Sequence, residues 1–328
     1  MKRPAKIALT AVGILIAIGI AGVTIARSDW FREKLRERII AELEKSTGGK
    51  VDIGAFQFDW STLTAELDNL VVHGLEPAEE PPLARAAKAR VELKIASMLN
   101  PAAGFNVASL EVDRPEAHLI VYPDGRTNVP EPKVAKKSPV LDLRIGRFDA
   151  RNGTFEVKSP GNPPKITPWD ARGENLRSLF TYQAAGRRYR GDLGIHPLQL
   201  RWGASEPLPV DVKAVFVVEK NRAQVASATL ATKHSLVNLS GTVDNFSPTR
   251  ATLNFAGKFS VDELGRILGL KSNQSGTVDL SGVARFSGAM DYWVTGKLHA
   301  TDVSYGDKDI HLEHVRVDSN IDATPKKI

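Results

Sequence analysis

The chain has 328 residues, 44 lysines and arginines against 38 aspartates and glutamates, a formal net charge of +6 and no cysteine. Without cysteine there is no disulfide, no thiolate metal site and no cysteine nucleophile. The basic excess is interspersed with acids rather than gathered into a stripe, which argues against nucleic acid as a partner.

The first element in chain order is Ile7 to Ala26, IALTAVGILIAIGIAGVTIA, an uncharged run long enough to cross the hydrocarbon core of a bilayer. Ile7, Leu15, Ile20 and Ile25 belong to it, and Trp30 follows where an interfacial aromatic belt would lie. A secretory signal has a shorter apolar region, about 7–15 residues, ending at a small-x-small cleavage site. No convincing site precedes Arg27-Ser28-Asp29-Trp30, so an uncleaved anchor is expected. Lys2, Arg3 and Lys6 precede the run, while Arg27, Arg32, Lys34, Arg36 and Arg38 follow it, so charge alone leaves orientation undecided.

A helix should come next. Ser28 or Asp29 can cap it, Phe31, Leu35, Ile39 and Leu43 recur at a spacing of four, and Thr47-Gly48-Gly49 ends it. Such a narrow apolar stripe suits either a helix lying on a membrane surface or a lid packed on the first strands. Arg38 and Glu42 are placed to pair across one turn.

From Val51 onward, short runs rich in Val, Leu, Phe and Thr alternate with Gly, Pro, Asn and Asp, which predicts many short strands. They are expected near residues 51–58, 64–73, 89–95, 108–112, 117–122, 141–150, 153–158, 210–218 and 224–231, then 236–243, 252–259, 276–286, 292–300 and 310–317. Ser260-Val261-Asp262-Glu263 reads as a capping box opening a short helix, and Ser97–Leu99 as a helical turn stopped by Pro101. Pro130–Pro139, rich in proline and lysine, reads as an exposed loop, as does Pro160–Pro164.

Within the strands, Phe155 and Val157 alternate with Thr154, Glu156 and Lys158, and Val278, Leu280 and Ala284 alternate with Thr277, Asp279 and Arg285. One face of the sheet is therefore apolar and the other polar. A sandwich would bury two such faces against each other. The faint repeat of Leu239-Ser240-Gly241-Thr242-Val243-Asp244 in Gln274-Ser275-Gly276-Thr277-Val278-Asp279 points instead to a sheet that grows strand by strand.

The segment Ser109–Asn128, SLEVDRPEAHLIVYPDGRTN, has a strand ending in Asp113-Arg114-Pro115, a second strand Ala117–Tyr122, and a Pro-Asp-Gly turn closed by Asn128. Pro115, Asp124, Gly125 and Asn128 are its fixed points. It resembles the L-x-(I/V)-x-x-P-x-(A/V)-x-(L/V)…D-G-x-x-N motif of the AsmA-like family, which includes the TamB translocation and assembly proteins. The apolar span, the helix ending in a Thr-Gly pair, Gly49–Gly54 and Leu67–Gly74 resemble that family's N-terminal region over about the first 130 residues. The chain ends at Ile328, without the long β-rich continuation and C-terminal domain of TamB itself.

The resemblance implies a mainly β protein: an elongated, curved, taco-like β-sheet groove preceded by one transmembrane helix and an amphipathic helix. It implies a tail and anchor over 1–27, a helix and N-terminal β region over 28–130, a linker over 131–139 and a repetitive groove region over 140–328. Such a protein would sit in the inner membrane with its bulk in the periplasm. Phospholipid acyl chains would lie against Phe155, Val157, Val278, Leu280 and Ala284, and beyond the last strand near Ile310–Val317 either a further segment missing from this sequence would continue the groove or an outer-membrane barrel or periplasmic partner would dock. An assembly scaffold that carries no lipid is the other role the resemblance allows.

Catalytic and metal motifs are weak. His311 and His314 are three apart, which on a strand puts them on opposite faces, and Asp307 and Asp309 lack the other ligands of a calcium loop. No G-x-S-x-G, P-loop or H-E-x-x-H occurs, so neither an enzyme nor a cofactor is expected. At about 4.8 Å per strand, roughly fifteen to twenty strands would reach on the order of 70–90 Å.

Overall fold

The structure, a computed structural model, describes residues 28–94, 107–131, 145–162, 167–203, 205–246, 249–267, 273–287, 291–306 and 310–324. The apolar run with Ile7, Leu15, Ile20 and Ile25, the turn at Ser97–Leu99, residues 132–139 of the basic loop, Asp307 and Asp309 lie outside these residues. No described helix is long and apolar enough to cross a membrane.

Helix α1 spans Asp29–Thr47. Ser28 is its cap, its hydroxyl accepting the Phe31 N–H at 3.2 Å, and Gly48 ends it in the left-handed region with φ 77°, donating to the Glu44 carbonyl. The stripe at spacing four packs on the sheet: Phe31 meets Trp60 with ring centroids 4.9 Å apart, Leu35 is buried, and Ile39 and Leu43 join the core. Of the two placements the spacing permits, these contacts are those of a lid. Glu42 lies near Lys45, at 4.0 Å.

Among the described residues fourteen strands then follow in one sheet, in sequence order. They are β1 (Lys50–Asp59), β2 (Thr64–His73), β3 (Ala84–Leu93), β4 (Val107–Ile120), β5 (Ile145–Ser159), β6 (Trp169–Gln183) and β7 (Arg188–Trp202). The second half comprises β8 (Leu208–Val218), β9 (Arg222–Ala231), β10 (Leu236–Phe246), β11 (Thr249–Ser260), β12 (Asn273–Ser287), β13 (Tyr292–Gly306) and β14 (His311–Ala323), with helix α2 (Val261–Ile267) between β11 and β12. Every neighbouring pair is antiparallel except β4 and β5, which are parallel. Among the described residues the sheet is not closed, and β1 and β14 are its two ends.

Three expectations need correction. The expected strands 108–112 and 117–122 are, as far as Ile120, one strand, β4, which passes through Arg114 at φ 49° and Pro115 without a hairpin. Likewise 145–150 and 153–158 are one strand, β5, kinked at Asn152 with φ 55°. Strands β6 and β7 lie where the sequence pattern predicts none, because kinks at Asn175 (φ 50°) and His196-Pro197 break their alternation.

These kinks form one line. Gly54 faces Asn69 (φ 52°) across β1 and β2, the line crosses β3 between Ala86 and Ala89, and it continues through Arg114, Asn152, Asn175 and Pro197. At each crossing the inward positions skip one residue: Ile53 then Phe56, Leu67 then Leu70, Val112 then Pro115, Ala150 then Gly153, Gly173 then Leu176, Ile195 then Leu198. Because all seven strands slip together, one face stays apolar on both sides of the line. Val51 and Ile53 on one side share a single core with Ala65, Leu67 and Ala89 on the other.

The faint repeat marks two glycine bulges. Gly241 (φ 154°) and Gly276 (φ 117°) each lie where the register shifts, against the carbonyls of Thr252 and Asp302, where a Cβ would sit at 2.1 and 2.7 Å. The Glu263 of the expected capping box instead accepts from the Thr232 and Ser235 hydroxyls and the His234 N–H, tying α2 to the β9–β10 turn. Burial is the largest single influence on this carboxyl and raises its pKa, but those hydrogen bonds together hold it below its ordinary value.

Candidate functional site

Cross-strand pairing aligns the inward residues into rows that run the full width of the sheet. One row is Phe56, Leu67, Ala89, Val112, Ala150, Ser178, Leu193, Ala214, Ala228, Leu239, Phe255, Gly282, Gly296 and Ile321. The next is Phe58, Ala65, Val91, Leu110, Phe148, Phe180, Gly191, Phe216, Val225, Gly241, Leu253, Ala284, Val294 and Ala323. Neither row contains a charge, and Ser178 is the one polar side chain in the two.

The opposite face carries the charges. Glu66 bonds Lys88 at 2.8 Å and also Arg90, Arg85 bonds Glu116 at 2.6 Å, and Arg201 bonds Asp170 at 2.6 Å, each across neighbouring strands. Asp149 is held by Arg151 and Arg147, and the Arg151 hydrogen bond lowers its pKa despite its burial. The polar face thus carries ion pairs across neighbouring strands, while the two inward rows hold no charge that could form one.

What covers the apolar face is short. Helix α1 packs over β1 to β3, where Ala65, Leu67 and Ala89 are almost fully buried. Beside it lies a cleft of about 180 Å³ walled by Ile39 and Leu43 of α1 and by Leu67, Leu70, Leu110 and Val112 of the sheet. Farther along, the same face is open: Leu200 is 42% exposed, Phe286 38% and Val317 42%. No second sheet lies against it among the described residues.

The expected face residues fall into this surface. Phe155 pairs with Gly173 and Val157 with Ala171, while Val278 faces Ala300, Leu280 faces Leu298 and Ala284 faces Val294. Sequence reasoning misses Phe180, Leu193, Leu198 and Leu200 of β6 and β7, which share the face. Their signal is Ala171, Gly173, Leu176, Ser178 and Phe180, an alternation with one slip.

The motif residues are structural. Asp124 accepts the Arg126 N–H at 3.0 Å in a turn with Gly125 at φ 83°. Asn128 is fully buried, its Oδ1 accepting the Ile120 N–H at 2.9 Å and its Nδ2 donating to the His118 carbonyl at 2.8 Å. Pro115 faces Ala86 on the apolar side, and Trp30 is 64% exposed at the start of α1. Among the described residues, no group of three or more His, Asp and Glu side chains could hold a metal ion. His314 pairs with Asp302 across β13 and β14.

The class the structure defines is a mainly β protein built on one long, open, mixed fourteen-stranded sheet. No family model matches the chain, and no curated protein is significantly similar to it.

Proposed function

We propose that this chain is an inner-membrane-anchored periplasmic protein of the AsmA/TamB type, whose sheet forms a groove that carries phospholipid acyl chains in transport to, or homeostasis of, the outer membrane. The observation that supports this is the pair of uncharged rows crossing an open, single-layer sheet. A face that is apolar but uncovered is what a bound acyl chain requires. Each buried methylene is worth about 0.8 kcal/mol, so a chain of about sixteen carbons gains on the order of 12 kcal/mol before ordering costs.

The apolar run before α1 supports the anchor, and the motif at Pro115, Asp124, Gly125 and Asn128 supports the family reading. The role is one of binding and conduction, without catalysis. A non-conducting assembly scaffold is the second reading, favoured by the stretch of the apolar face that α1 already covers over the first strands.

The deciding experiment places photo-crosslinkers at Phe155, Val157, Val278 and Leu280, with Glu156 and Arg285 as controls. Phospholipid should be captured from the first set and not from the second. Equal capture at both sets, or none at either, would defeat the groove and leave the scaffold.

A further inference from the structure

The first turn of α1 and the first turn of the sheet are joined by an aromatic cluster. Phe31 and Trp60 have ring centroids 4.9 Å apart, and Phe58 meets the same indole nearly edge-on at 4.8 Å. Trp60 opens the connection from β1 to β2, and Leu63, near its far end, accepts the Leu93 N–H through its carbonyl at 2.9 Å. Leu93 lies opposite Val107, which in turn faces Ile145. The beginning of α1, the β1–β2 turn, the end of β3 and the starts of β4 and β5 therefore share one rim of the sheet. The other rim holds Lys50, His73 and the turn closed by Asn128.

The uncharged run ends close to the first of these rims. Ala26 closes that run and Ser28 caps α1, so at most about 7 Å of chain separates them. A headgroup layer is about 5–8 Å deep on each side of the hydrocarbon. With the run across a bilayer, Phe31 in the first turn of α1, and the Trp60 it touches, stand at the interface.

Two settings of the sheet satisfy that distance, with α1 flat on the bilayer or with only its first turn there. The side chains decide between them. The apolar stripe of α1 is spent on the sheet, Leu35 being buried and Ile39 and Leu43 packed on the core. Its outer face carries Glu33, Lys34, Glu37, Arg38 and Lys45, with Lys34 bonded to Glu37 at 2.7 Å and Arg36 to Glu33 at 3.0 Å. A helix whose outer face is charged has no apolar side to sink into an interface. Exposed apolar surface is found instead at its start, where Trp30 is 64% exposed.

We propose that this rim is a bilayer seat: Trp30 and the β1–β2 turn, Trp60 to Leu63, rest in the phospholipid headgroup layer, while β1, β2 and β3 stand away from it. Lys50 and the Asn128 turn are then farthest out. The seat rests on the anchor proposed above, but not on whether the apolar face carries lipid. Indole suits this layer because its ring is apolar and its N–H is polar. Through Phe31, Trp60 and Phe58 the direction of the span sets the direction of the first strands. Ten residues of β1 at about 3.3 Å each put the two rims on the order of 30 Å apart.

The chain has no cysteine, so single labels can be placed without removing any. The full chain is set in phosphatidylcholine nanodiscs in which some lipids carry a nitroxide on the headgroup. A fluorophore on Thr62→Cys or Lys94→Cys should be quenched, and one on Lys50→Cys or Glu79→Cys should not; all four positions are exposed. Trp60→Ala should weaken the quenching at Thr62 and Lys94, and Trp60→Phe should keep most of it. Equal quenching at the two rims would mean that α1 and the strands lie flat, and would overturn the seat. Stronger quenching at Lys50 and Glu79, or an alanine variant that changes nothing, would overturn it too. The comparison of rims uses surface positions only, so it stays decisive if Trp60→Ala misfolds. A chain that does not remain with the discs would defeat the anchor itself, and the seat with it.

Discussion

The ring of Phe155 lies directly over Gly173 on the neighbouring strand, so that a Cβ added to Gly173 would stand 2.1 Å from Phe155 Cε1. Phe180 over Gly191 and Phe255 over Gly282 repeat the arrangement, with added Cβ atoms at 2.5 and 2.8 Å from the rings. An aromatic ring laid across a strand glycine covers exposed backbone and flattens the surface. Gly173→Ala should push the ring up from the sheet and cost about 1–3 kcal/mol locally. Hydrogen exchange of β5 and β6 measures this, and Phe155→Ala should relieve most of the loss in the double variant. Strict additivity of the two changes would show that the stacking is not the cause.

The covered and open parts of the apolar face should respond differently to truncation. Leu67 is 1% exposed beneath α1, so Leu67→Ala should cost about 2–5 kcal/mol in the stability of β1 to β3. Leu253, half-buried on the open stretch, should cost clearly less, since part of its side chain already meets solvent. Exchange protection read strand by strand compares the two, and equal losses would mean that the open stretch is covered in solution.

Asn128 closes the turn after β4 with its side chain. Asn128→Ala strands the buried Ile120 N–H and removes the donor to the His118 carbonyl, which should cost about 1–3 kcal/mol. Exchange of the Ile120 amide should accelerate. Asn128→Asp keeps an acceptor for Ile120 but loses the donor and sets a buried carboxylate against the His118 carbonyl, so it should cost at least as much as the alanine.

Acid should loosen β5 through Asp149. The hydrogen bond from Arg151, with that from Arg147, holds its folded pKa below the ordinary 3.8, so its contribution is present above about pH 4 and is lost as pH falls through the folded value. In Asp149→Asn the stability of β4 to β6 should start lower and depend less on pH below 4. A pH series of exchange rates follows this, and an unchanged acid slope would remove Asp149 from the account.

Much of this architecture is legible in the chain because one-sided burial writes itself as alternation. The ends of β2 are marked to the residue, and the amino-acid pattern alone places Val278, Leu280 and Ala284 on one face, since no slip interrupts them. The single sheet is legible too, through the Gly241 and Gly276 repeat. Legibility fails at the kinks. A left-handed residue at Asn175 moves the next inward position by one, so β6 reads as polar coil, and the Arg114-Pro115 step looks like a strand end because proline ordinarily is one. Pairing with both neighbours decides those cases, and pairing is not a local property. Whether the apolar face is covered is likewise invisible in a periodic pattern.

The line of kinks across β1 to β7 has a consequence for the spacing of the chain. Each of these strands has two phases of alternation joined at one point, and the point is shared with its neighbours. A residue lost or gained in a single strand, on either side of the line, would turn that portion inside out while the adjacent strands kept their facing. In this half the strands can therefore change length only in steps of two, or together.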